Sequence, residues 1–276
     1  MATLNLEAEY NNRQRVPEHP GIQQRWAKAS EEACKSLACE LDKSYGPHER
    51  HKFDLFRPRS GSTTAPLVVY VHGGYWQRGD RKGNAFVAKE LVNRGLQVAI
   101  PSYRLCPEAS IMDIVGDVRQ ALKAIWETTK QRPVVVGHSA GGHLAAAMLA
   151  SDWSKIAGVP VDLVKSAYSI SGVFELEPLI PTTLNEALKL DTAKARAAGP
   201  LFWPAPPKDR TLVAAAGGDE SQEFIRQSLA ITAAWSKAGV KAECVVVPGA
   251  NHFTIVEELA NPESAMFARI IGLSGK

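Results

Sequence analysis

Residues 133–151 read PVVVGHSAGGHLAAAMLAS. An apolar, β-branched run from Pro133 to Val136 meets Gly137-His138-Ser139-Ala140-Gly141-Gly142, which opens an alanine-rich stretch from His143 to Ala150. Strand, tight turn and helix in that order form the context in which a serine is lifted on a strained turn, its hydroxyl exposed above a sheet. Glycines on either side let the backbone pass closely. The same turn sets the Ala140 N–H and a helix N-terminus where negative charge would develop. Ser139 is therefore a candidate nucleophile.

Outward from this stretch, short apolar runs alternate with helical periods. Residues 66–72, 97–101, 133–137, 164–171, 211–216 and 243–248 read as strands, being β-branched and bounded by Gly or Pro. Between them, 84–94, 110–130, 141–151, 222–238 and 262–272 read as helices. Continuous apolar strands mean a sheet buried on both faces, so the pattern predicts an α/β chain with a mostly parallel central sheet and helices on both faces. Residues 1–48 read as a helical N-terminal appendage or cap, with Pro20 opening a helix through Trp26, Ala33 and Leu37. Residues 49–276 read as the main domain. Within it, the proline-rich and aromatic excursion 173–208 is long enough to suggest a lid or pocket wall.

Two further signals join Ser139. His72-Gly73-Gly74-Tyr75-Trp76 follows a strand one βαβ unit before the serine. There, Gly73, Gly74 and Tyr75 can offer backbone N–H groups that complete an oxyanion hole with Ala140. Asn251-His252-Phe253 follows the last strand, and His252 is the only histidine after position 143. Nucleophile, acid and base in that chain order define the α/β-hydrolase fold, the expectation for this chain. The acid falls after the strand 211–216, where Asp219 and Glu220 are adjacent candidates; residue type does not choose between them. His72, His138 and His143 are assigned structural hydrogen bonds rather than chemistry.

Composition narrows the class. The chain has 276 residues, of which 45% are hydrophobic and 22% charged, with a net charge of +3. That is a folded rather than disordered balance. Lys and Arg are interspersed with Asp and Glu, so no nucleic-acid surface is expected. No apolar run is long enough to cross a membrane, and the N-terminus has no signal-peptide core, which makes the cytoplasm the expected compartment. Cys34, Cys39, Cys106 and Cys244 show neither a CxxC pair nor metal-ligand spacing, and are expected to be reduced, buried and apolar in behaviour. No metal or organic cofactor is expected. The expected partner is a small-molecule substrate, and an exposed edge strand or the helical N-terminus would be the surface for a homodimer.

The chain also resembles the kynurenine formamidase (arylformamidase) family of α/β-hydrolases from Val68 to about His252, with a weaker echo at Glu9-Tyr10. Residues 72–77 (HGGYWQ), 137–141 (GHSAG), 171–178 (SGVFELEP) and 221–228 (SQEFIRQS) carry the likeness. In that family the acid stands immediately before the last run, which implies Glu220, with Asp219 as the alternative. Residues 103–108 (YRLCPE) also resemble hormone-sensitive-lipase-like carboxylesterases. The likeness implies hydrolysis of a small-acyl amide or ester, foremost an aryl formamide such as N-formylkynurenine, with a short-chain carboxylesterase as the alternative. An aromatic leaving group calls for flat apolar walls, for which Tyr75, Trp76, Phe174, Phe202 and Trp203 are the candidates. A non-catalytic receptor on this scaffold would lack part of the set, and here serine, histidine, acid and glycines are all present.

Overall fold

A computed structural model of the chain describes residues 4–59 and 61–276; the first three residues of the N-terminal segment, and Ser60 in the main domain, lie outside the described residues. Among the described residues one sheet runs through eight strands: β1 (Ala38–Ser44), β2 (Lys52–Arg57), β3 (Leu67–Val71), β4 (Gln97–Pro101), β5 (Pro133–His138), β6 (Ser166–Ile170), β7 (Thr211–Gly217) and β8 (Lys241–Val247). Their spatial order is β1-β2-β4-β3-β5-β6-β7-β8. Pairing is parallel from β4 across to β8 and antiparallel at β1–β2 and β2–β4.

The continuous apolar runs are explained by two cores, one on each face. Along β3, Leu67, Val69 and Val71 enter one core while Val68 and Tyr70 enter the other. The first core is closed by helices Ile111–Thr129, Ala140–Leu149 and Gln222–Lys237, through side chains such as Val118, Leu144 and Phe224. The second is closed by helices His19–Ser36, Ala88–Asn93 and Ala265–Leu273, through Ala33, Leu91 and Phe267. Each fully buried Leu, Val or Phe contributes about 1.5–3 kcal/mol, so the sheet is held between two independent apolar layers.

The sequence reading missed β1 and β2. The segment read as helical through residue 48 is helical to Ser36 and then extends as β1. Strand β1 is largely exposed and rich in charge, as protected edge strands are. Strand β2 buries Phe53, Leu55 and Phe56 but also Asp54, whose charge interrupts the apolar signal. Asp54 is accommodated because Arg81 Nε and the Asp42 N–H donate to its Oδ1 at 2.9 and 2.8 Å. Neither partner is local in sequence, so the burial is visible only in three dimensions.

The excursion 173–208 folds onto the first core, burying Leu190, Ala195 and Ala198. Of the cysteines, only Cys106 is fully buried; Cys34, Cys39 and Cys244 are half-buried, a departure from the expectation. No helix among the described residues is long and apolar enough to cross a membrane.

Candidate active site

The turn between β5 and helix Ala140–Leu149 holds Ser139 at φ 56°, ψ −118°. A non-glycine residue at this φ is strained and persists because its surroundings over-determine it. The Ser139 N–H donates to Ile170 O at 2.8 Å, and its carbonyl accepts from the His143 N–H at 3.1 Å. Gly141 is required by close approach, since a Cβ there would lie 1.9 Å from Val71 O. The helix therefore starts directly behind the serine, with its first N–H groups directed toward the turn.

The turn after β3 is pressed against the same point. A Cβ on Gly73 would sit 2.7 Å from His138 O and 3.1 Å from Ser139 Cβ. Tyr75 and Trp76 both adopt left-handed backbone, with φ 55° and 56°. The Tyr75 hydroxyl donates to Tyr10 O at 2.9 Å and accepts from the Asn12 N–H at 3.1 Å. Trp76 O accepts from the Cys106 N–H at 2.7 Å, and Gln77 Nε2 donates to Leu184 O at 3.0 Å. The N-terminal segment thus clamps the turn directly.

His252 sits in the loop after β8. Asn251 Oδ1 accepts from the Phe253 and Thr254 N–H groups at 2.9 and 3.0 Å, which fixes the loop. His252 Nδ1 donates to Glu220 Oε2 at 2.6 Å, leaving Nε2 free to accept a proton. The other carboxylate oxygen of Glu220 accepts from the Gly217 N–H at 2.7 Å and Ser171 Oγ at 2.5 Å. Glu220 is fully buried as a side chain, whereas neighbouring Asp219 is exposed. Geometry thus brings Glu220, not Asp219, onto His252.

Ser139, His252 and the Gly73–Tyr75 turn all border one cavity of about 630 Å³. Its remaining wall includes Arg13, Gln23, Trp26 and Ala27 of the N-terminal segment.

Comparison with known proteins bears on this arrangement. A family model described as BD-FAE matches residues 53–169. The kynurenine formamidase of Danio rerio is 31% identical over 256 residues, covering 90% of this chain and 87% of that protein. Its Salmo salar counterpart is 32% identical, with 90% and 87% covered. The chain belongs to the kynurenine formamidase family. It is an α/β-hydrolase, an enzyme that hydrolyses an ester or amide. Among solved structures, a Silicibacter sp. TM1040 protein described as a candidate thioesterase superposes with a TM-score of 0.88 at 34% identity, covering 98% of this chain and all of that one. Esterase B from Lactobacillus Rhamnosis superposes at 0.68 with 18% identity, covering 95% and 96%, a likeness of fold alone.

In this kynurenine formamidase family member the expected aromatic walls divide. Tyr75 borders the cavity. Trp76 and Phe174 are buried in the first core, Trp76 with its edge against His143. Phe202 is exposed with the Arg196 guanidinium over its ring, and Trp203 Nε1 is bonded to Ala197 O. None of these four is in the cavity wall, and neither is any other residue of 173–208. Trp26, Leu105 and Phe253 supply the apolar wall instead. Phe253 could have been suspected from its place beside His252. Trp26 and Arg13 carry no local signal, because the cavity meets the N-terminal segment only through tertiary packing. Ser171 also escaped assignment, although it opens one of the runs that marked the family.

The structural histidines of this formamidase-family fold are accounted for by hydrogen bonds. His138 Nε2 donates to His252 O at 2.8 Å, and its ring lies 4.7 Å from that of His252. His143 Nε2 donates to Ala198 O at 2.7 Å, and His72 Nδ1 to Gly73 O at 2.8 Å. Burial pushes His72 and His143 down to about 4 and holds His138 well below the usual imidazole range. All three are neutral when folded, and His72 and His143 gain a proton on unfolding between about pH 6.5 and 4. Because the unfolded state then binds more protons, the contribution of His72 and His143 is complete above pH 6.5 and is lost as pH falls toward 4. His143→Gln retains a donor toward Ala198 O but does not titrate. Urea midpoints at pH 7.5 and 5.0 are expected to show the variant losing about 2 kcal/mol less than the parent between those pH values; equal losses would refute the assignment. Among the described residues no cluster of three or more His, Cys, Asp or Glu has metal-site geometry.

Proposed function

We propose that this chain hydrolyses aryl formamides, of which N-formylkynurenine is the leading example, through an acyl-enzyme on Ser139. The observation that carries the reading is the 2.6 Å contact between Glu220 and His252, with His252 bordering the same cavity as a serine held at φ 56° on a strand-to-helix turn. Support for a formyl group comes from the two fish relatives, both kynurenine formamidases.

His252 Nε2 takes the Ser139 proton as Oγ attacks the formyl carbon, and Glu220 holds the imidazole in the required tautomer. The tetrahedral oxyanion is met by the Ala140 N–H and an N–H of the Gly73–Tyr75 turn. Collapse breaks the C–N bond, and His252 passes the proton to the departing aromatic amine. Water then attacks the formyl-serine ester with His252 again as base, releasing formate and restoring Ser139.

The test is turnover of N-formylkynurenine beside p-nitrophenyl acetate. A higher kcat/KM on the formamide supports the reading. Dominant ester turnover with no formamide cleavage would make the chain a short-chain carboxylesterase, the alternative that the same residues could serve.

Tyr75 is expected to matter through position. Burial raises its phenol above the usual range, so the O–H stays available as a donor. Tyr75→Phe strips partners from Tyr10 O and the Asn12 N–H and frees a turn with two left-handed residues. An oxyanion donor loosened in this way costs about tenfold to a hundredfold in kcat, with roughly 1–3 kcal/mol of stability. Steady-state kinetics and urea unfolding check both, and unchanged kcat would show that the clamp does not serve the oxyanion hole.

A further inference from the structure

We propose that Arg13 and Arg78 form an anion subsite in this cavity that recognises a carboxylate on the aromatic leaving group of the substrate. The inference rests on the aryl-acyl hydrolysis proposed above and narrows its substrate class to anionic aryl amides and esters.

Both arginines border the cavity that holds Ser139 and His252. They are grouped around Tyr75: the Arg78 guanidinium carbon lies 5.9 Å from its ring centroid, and Arg13 directly follows Asn12, whose N–H donates to its hydroxyl at 3.1 Å. Both are half-buried. Burial and then the charge of Arg78 weigh against the protonated form of Arg13, so the two cations feel each other.

What sets this pair apart is the lack of any polar partner for the guanidinium. Every other partly or fully buried arginine among the described residues has a partner for its guanidinium. Arg57 bonds Glu40, Arg81 bonds Asp54, Arg104 bonds Asp117, Arg119 bonds Ser151 and Arg210 bonds Asp209. Arg50, also in the cavity wall, is committed to the carbonyls of Tyr103 and Gly79 at 2.7 and 2.5 Å. Arg13 and Arg78 make no ion pair and no side-chain hydrogen bond among the described residues. Asp80, the carboxylate in the wall, is not within ion-pair distance of either; its Oδ1 accepts from the Gly83 N–H at 3.1 Å.

Two half-buried like charges without a partner are costly alone and become favourable when an anion joins them. A planar guanidinium fork suits a carboxylate, and its place beside Tyr75 puts that carboxylate against the ring-binding wall. The amino terminus of the chain would then supply one half of the subsite and the oxyanion turn the other.

The test compares phenyl acetate with 4-acetoxybenzoate in the parent, Arg13→Met, Arg78→Met and Arg78→Lys proteins. The readout is the ratio of kcat/KM for the anionic ester to that for the neutral one. Comparing that ratio between proteins cancels the intrinsic reactivity of the two leaving groups. Each methionine variant is expected to lower the ratio about tenfold, chiefly through KM, with Arg78→Lys intermediate because charge survives without the fork. A ratio within about twofold of the parent, or equal losses on both esters, overturns the subsite. If a variant does not fold, the parent decides. Raising NaCl from about 20 to 500 mM should raise KM several-fold for the anionic ester only, and identical responses overturn the proposal. Because esters report the charge preference, a chain that ignores formamides would refute the formamide reading while leaving the subsite standing.

Discussion

Ser139→Ala is expected to lower kcat by about a million-fold while leaving the fold intact. The size follows from removing the nucleophile outright, with only transition-state binding in the oxyanion hole left to act. Stability should hold because alanine keeps the Cβ, and the strained backbone of the turn is held by the bonds to Ile170 O and from the His143 N–H. Thermal unfolding of the variant should therefore overlay the parent, separating loss of chemistry from loss of structure. An organophosphonate should add one mass increment to the parent and none to the variant. Residual activity above about one percent of the parent would mean that another group attacks the substrate.

The second large effect is expected at Glu220. Glu220→Gln should lower kcat about ten-thousand-fold. The Gly217 N–H and Ser171 hydroxyl both donate to one carboxylate oxygen, so they will hold the glutamine carbonyl on their side. The amide NH2 then faces His252 Nδ1 and drives the imidazole proton to Nε2, the atom that must accept from serine. Asp219→Asn, at an exposed position whose main-chain N–H donates to Ala250 O, should change kcat by less than about twofold. Equal damage from the two substitutions, or more than about a tenth of parental activity in Glu220→Gln, would sink the assignment.

Much of this site was legible because its signals are local. A β-branched strand, a glycine-flanked serine and an alanine-rich helix occupy consecutive residues, and the order serine, acid, histidine survives in the chain itself. The aromatic walls were not legible in this way. Trp76 and Phe174 have the same chemistry as Trp26 and Phe253, and whether an aromatic ring faces a core or a cavity depends on which helices cover it.

Sequence by itself determined the parallel α/β core and was enough to single out Ser139, the Gly73–Tyr75 turn and His252 as candidates. Tertiary structure alone decided that β1 and β2 extend the sheet and that the N-terminal segment, rather than 173–208, walls the cavity, and it turned Glu220, the carboxylate that the family likeness implied, onto the imidazole. The division has one physical origin. Backbone periodicity and turn chemistry are written within a few residues, whereas the burial of Asp54, the direction of Glu220 and the approach of Arg13 depend on partners many residues away in the chain.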